Sequence, residues 1–153
     1  PRVPPPRTSA SRFYGRFWAR LPFVAEGVPG FGVFAVNAAG RARWGAFPGI
    51  IGDDIFVRQC FAAAERIAVP ARYDWPLTEG FGALVRVRRR QDAGNRQVAA
   101  LFPDLPGLAE PTAPPPAALM RLRDPAGFLV SAAVAAATRL PLWRAQDGWG
   151  RGR

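Results

Sequence analysis

The sequence predicts an α/β chain, and three observations carry that expectation. Residues 31–36, "FGVFAV", are apolar and β-branched, lie between Gly30 and the turn signal "NAAG", and read as a buried strand. From Asp53 to about Val69, the residues Phe56, Cys60, Ala63, Ala64 and Ile67 recur at three- and four-residue spacing, the period of a helix with one apolar face. A second helix is expected from about Thr78 to Arg90, with Gly94-Asn95 breaking it, and a third, apolar helix from Ala126 to Thr138. As a fragment this composes an α+β arrangement of short strands with two or three helices.

The remaining segments follow in order. Residues 1–12, "PRVPPPRTSASR", read as an extended lead-in, because Pro prevents helix and Arg keeps the segment solvated. "FYGRFWARLPF" sets Phe13, Phe17 and Trp18 on one side and Arg12, Arg16 and Arg20 over the other. That pattern fits an amphipathic surface segment or a short helix packed on the domain, and both readings stay open. "GRARWGAFPGIIG" is a loop with turn signals at Gly45, Pro48-Gly49 and Gly52, and glycines let a backbone come close to a ligand. Pro70 ends the helix that follows, and a short extended piece is expected around Tyr73 to Trp75. "AEPTAPPPAALMRLRDP" is a linker by composition. The expected organisation is therefore 1–26 as lead-in and aromatic segment, 27–104 as core, 105–125 as linker, and 126–153 as terminal helix and basic tail. The terminal helix is well short of the roughly 20 residues that cross a bilayer. It packs on the domain, or lies in an interface with Trp143 and Arg144 at headgroup level.

Composition narrows the chemistry. The 153 residues carry a net charge of +10; all 21 basic residues are Arg, there is no His, and Cys60 is the one Cys. A Ser-His-Asp triad, a Cys-His pair, a histidine metal site and an intrachain disulfide are all excluded. Cys60 is expected to be a small core residue. Acid–base work falls to Asp and Glu, and charge stabilisation to Arg, whose planar fork suits phosphate. The basic excess points to a polyanionic partner: nucleic acid, anionic lipid headgroups or a phosphorylated small molecule. The first residue is Pro and the one Met is Met120, so the chain is expected to be a piece of a longer reading frame cut on its N-terminal side.

Two features stand together as a candidate site. Gly52-Asp53-Asp54 opens the first long helix with Arg58 one turn later, and "RVRRRQDAGN", residues 86–95, places four arginines in five positions ahead of Gly94. An acid at a helix start caps orphan amides and complements the helix dipole. One cap needs one Asp, so Asp53 is expected to cap and Asp54 to accept a proton, with Arg58 keeping it ionised.

The order of these residues, a Gly-bounded strand, "GAFP", an acidic pair opening a helix, then an Arg-rich helix end and Gly, resembles the C-terminal half of family-2, GT-A-fold glycosyltransferases. The resemblance covers about residues 27–101. Asp53-Asp54 stands where that family has its Asp/Glu-Asp pair, and Val87-Arg88-Arg89-Arg90-Gln91 where it has Q-x-x-R-W; Arg90 is kept, Val87 replaces Gln and Gln91 replaces Trp. The resemblance implies a GT-A fold and inverting transfer from a nucleotide-diphospho-sugar donor to a hydroxyl acceptor. It makes Asp54 the general base beside Asp53, puts Arg88, Arg89 and Arg90 on the diphosphate, and gives Gly52, Arg58 and Gly94 supporting places. It also implies a divalent cation, Mg or Mn, whose D-x-D ligands do not occur in this sequence, and a nucleotide-binding N-terminal half of the same polypeptide as partner. The implied setting is cytoplasmic, at the inner face of the cytoplasmic membrane, with peripheral membrane contact. The alternative is a non-catalytic, Arg-rich module that binds nucleic acid or an anionic membrane surface. Nucleic acid is the less favoured partner, because the arginines scatter through several segments.

Overall fold

The computed structural model describes residues 2–25, 27–28, 32–109 and 123–141. The described residues are helical and contain no strand, which overturns the α/β expectation and, with it, the GT-A fold. The helices are α1 (Ser9–Trp18), α2 (Pro22–Ala25), α3 (Ala38–Arg41), α4 (Asp53–Gln59), α5 (Phe81–Leu101) and α6 (Pro125–Ala137), with 3₁₀ turns at Ala63–Glu65 and Pro106–Leu108. The β-type pairing among the described residues is an isolated parallel bridge between Arg2 and Asp74.

The expected strand fails for a physical reason. Residues 33–37 form no ladder, Val33 is 61% exposed, and of this stretch Val36 reaches a core. A strand needs a neighbour to pair its amides and carbonyls, and the described chain offers no second one. The expectation rests on local composition alone.

Contacts divide the chain into two compact units: residues 1–27, 70–90 and 113–153, and residues 28–69 and 91–112. In the first unit, helix α1 begins earlier than the Pro-rich reading allowed, because Thr8 caps it by accepting from the Ser11 amide at 3.4 Å. Glu79 lies across this cap, accepting from the Arg7 and Thr8 amides at 2.8 and 3.0 Å. The buried Ser11 hydroxyl donates to the Thr78 carbonyl at 2.8 Å and accepts from the Gly80 amide at 2.9 Å. Thr78 and Glu79 therefore serve α1 and do not start the next helix. Gly80 takes a left-handed φ of 87°, and α5 begins after it, at Phe81.

Helix α6 matches the expected apolar terminal helix. Asp124 caps it by accepting from the Gly127 amide at 3.0 Å, and Pro125 occupies the first helical position. Gly127 is needed there: a Cβ would lie 2.6 Å from an Asp124 carboxylate oxygen and 2.8 Å from the Phe17 Cβ. Tyr14, Leu84, Val85, Val134 and Ala137 form the core of this unit, so α1, α5 and α6 each contribute to it. The expected linker over 105–125 and the expected basic tail fall largely on residues 110–122 and 142–153, outside the described residues.

The second unit packs Trp44, Phe56, Val57, Cys60 and Val98. Cys60 is buried as expected, and burial raises its thiol pKa. Helix α4 stops at Gln59, well short of Val69, leaving Ile67 and Val69 81% and 70% exposed. The orphan carbonyls at its end are taken by side chains: Arg43 donates to Cys60 O at 2.9 Å and Arg66 to Phe61 O at 2.6 Å. The Ala62 amide then donates to the Glu65 carboxylate at 2.9 Å, which starts the 3₁₀ turn. Helix α5, in contrast, runs past the expected break at Gly94-Asn95 to Leu101.

Candidate functional site

In the second unit the acidic pair opens α4, but the cap is Gly52, and its carbonyl accepts from the Phe56 amide at 2.8 Å. Asp53 is thus the first helical residue and not the N-cap, which corrects its expected place. Each acid bonds to the next residue's amide: Asp53 Oδ1 accepts from Asp54 N and Asp54 Oδ1 from Ile55 N, both at 2.9 Å. Both complement the positive end of the helix dipole. Asp53 is exposed and Asp54 half-buried. Among the described residues the second carboxylate oxygen of Asp54, Oδ2, accepts no hydrogen bond.

Gly52 and Gly94, predicted separately from sequence, meet. A Cβ on Gly94 would sit 3.4 Å from the Gly52 amide nitrogen and 3.5 Å from its Cα. Beside them the Ile51 amide donates to Gln97 Oε1 at 2.9 Å. Gly94 therefore lies inside α5 against the loop leading to the acids, at a spacing that still admits a methyl group, and its cost of about 1 kcal/mol relative to Ala does not end the helix. Gly45 and Gly49 have open space where a Cβ would go. Arg58 is half-buried, and its Nε donates to the Val28 carbonyl at 3.3 Å.

The loop before the acids is held by Arg41. Its guanidinium donates to the Trp44 and Gly45 carbonyls at 2.6 and 3.0 Å and lies 5.1 Å from the Trp44 ring and 5.8 Å from the Phe47 ring. Glu65 is paired with Arg43, whose Nη1 donates to it at 2.9 Å. That pairing first, and the Ala62 amide second, lower the Glu65 carboxyl to about 2.

The Arg cluster belongs to the first unit and is described there. Arg89 donates from Nε to the Thr138 carbonyl at 3.0 Å and from Nη2 to Ala137 O at 2.9 Å and to Leu140 O. A guanidinium at the negative end of α6 is well placed as its C-terminal cap. Arg88 is exposed and Arg90 half-buried.

Sequence reasoning missed Asp124, the most buried carboxylate of the described residues at 3% exposure. Arg16 grips it with two bonds of 2.8 and 2.6 Å, and Arg20 adds one at 3.2 Å. The Arg16 bonds above all hold its carboxyl below the usual range, with help from the Gly127 amide. The signal was available: Asp immediately before Pro is a cap followed by a first helical residue.

Among the described residues no group of three or more Cys, Asp or Glu is arranged to hold a metal ion. No described helix is long and apolar enough to cross a membrane. Comparison with family models, with curated proteins and with solved structures finds no match.

Proposed function

We propose that the chain serves glycosyl transfer, as the acceptor-side portion of an inverting glycosyltransferase with Asp54 as general base. The observation that carries this reading is the meeting of Gly52 and Gly94. Within the second unit it sets the loop before the acidic pair beside Gly94, which stands where the resemblance has its glycine. The second support is Asp54 itself, half-buried at a helix start with Oδ2 not engaged by the described residues.

In this mechanism the acceptor hydroxyl oxygen attacks the anomeric carbon as Asp54 takes its proton. The bond from that carbon to the diphosphate oxygen breaks, and the diphosphate leaves with the electron pair. Arginine offsets the charge gained. Arg88 and Arg90 take that work in this reading because the resemblance gives them the diphosphate. The nucleotide is held by a half outside this chain, and no step is routed through a metal. The setting of the reading is the cytoplasmic face of the membrane.

The test uses the polypeptide that carries this chain with its donor-binding half. Asp54→Asn is expected to lower transfer by about 10²–10⁴-fold while helix content is kept. Wild-type activity in that variant would remove the base.

A second reading, a non-catalytic Arg-rich binding module, is favoured by the distribution of charge. The described part of the first unit has twelve arginines against three carboxylates. It predicts no transfer from any nucleotide-sugar, and binding to a polyanion that weakens steeply with salt.

A further inference from the structure

We propose that the outward face of α6 is a docking surface for an anionic lipid bilayer, lying flat at the headgroup level. This deepens the membrane setting of the preceding reading but stands on different residues.

The helix is apolar on both sides. Its inner face buries Gly127, Val134 and Ala137 in the first unit. Its outer face exposes Pro125, Leu129, Ala132, Ala133 and Ala136, and Leu140 continues the line past the helix end. Leu129 is 67% exposed and Leu140 50%. A surface helix normally turns charged or polar residues to water, and no charged residue lies anywhere in α6. An exposed apolar line of this kind marks a place where something docks.

The charges around the line say what docks. Arg123 stands at the N-terminal end of α6 beside Arg16 and Arg20, which share the one carboxylate of Asp124, and Arg139 stands at its C-terminal end. The carboxylate at this helix, Asp124, is buried under two of those arginines, so it does not repel an anion. An apolar strip with guanidinium groups at both ends complements an anionic bilayer, whose phosphates lie level with the ends while the strip enters the acyl boundary. The 13 residues of α6 span about 20 Å, too short to cross the bilayer but suited to lying in its plane. A nucleic acid fits this face less well, since the line offers no aromatic platform for bases.

The experiment measures binding of the full chain to phosphatidylcholine vesicles with and without phosphatidylglycerol. Binding is expected with the anionic vesicles alone, falling as salt rises, and Leu129→Glu is expected to weaken it by about tenfold or more. In case the Leu129 variant fails to fold, Ala133→Cys carrying an environment-sensitive dye gives a second readout, because Cys60 is buried. Its emission is expected to shift to the blue on anionic vesicles and not on a single-stranded oligonucleotide. No binding to anionic vesicles, binding that a folded Leu129→Glu variant retains, or an unshifted dye overturns the proposal. Asp54→Asn is expected to bind vesicles as the wild type does, so loss of transfer and loss of docking are read separately.

Discussion

In the described part of the first unit, twelve arginines face three carboxylates; in that of the second, five face five. All three described carboxylates of the first unit tie together segments far apart in sequence: Asp74 binds Arg2, Glu79 caps the start of α1, and Asp124 joins α1 to α6. In the second unit Glu65 does similar work with Arg43, but Asp53 and Asp54 each reach only the next amide. An acid that bridges distant segments is fixed by the fold. An acid that bonds only its neighbour costs the fold little when changed, at most about 1 kcal/mol for its place at a helix start. Asp53 and Asp54 share this neighbour-only bonding, and Asp54 is the more buried of the two.

Replacing Asp124 sharpens that contrast most on the stability side. Asp124→Ala removes the cap of α6 and the partner of two arginines, and is expected to cost about 2–3 kcal/mol, less than a fully buried pair because both guanidiniums are half in water. Denaturant unfolding checks it, and a loss no larger than that of Asp53→Asn would erase the difference between the units.

Acid titration tests the bridging carboxylates next. Asp74, Glu79 and Asp124 all have lowered folded-state pKa values, Glu79 at about 2 from the Arg7 and Thr8 amides. A carboxylate held below its unfolded value of about 4.5 stabilises the fold fully above that pH. The contribution is lost as pH falls towards about 2. Amide exchange in α1, in α6 and in the turn that Glu65 and Arg43 hold after α4 is thus expected to accelerate over this window, ahead of that in α3, whose cap Asn37 does not titrate. Equal acceleration in α3 would contradict the assignment.

The smallest effect lies at Gly94. Its missing Cβ would be in ordinary contact with Gly52, so Gly94→Ala is expected to be neutral or to stabilise α5 by up to about 1 kcal/mol. A clear destabilisation in thermal unfolding would show that the loop and helix cross too tightly to admit a methyl group.

What the sequence made legible were features fixed within a few residues. The start of α4 at the acidic pair, the apolar helix before Arg139 and the burial of Cys60 all follow from local pattern. What it hid depends on distant partners. The end of α4 is set by guanidiniums from Arg43 and Arg66, and the start of α5 by Glu79 turning back to Thr8. Gly94 reads as a helix breaker, yet α5 continues through it. "FGVFAV" has strand composition, but composition does not supply a partner strand. Within the candidate site, the acids and glycines were visible from spacing; the use of Arg89 as the C-terminal cap of α6 was not, because its carbonyl partners lie some fifty residues away.

The most direct measurement compares Asp54→Asn with Asp53→Asn in a nucleotide-sugar transfer assay, which tests the proposed function. Transfer is expected to fall by about 10²–10⁴-fold for Asp54→Asn and to stay within a few-fold of wild type for Asp53→Asn, with both variants folded. Equal activity in the two variants would contradict the assignment of Asp54 as the base.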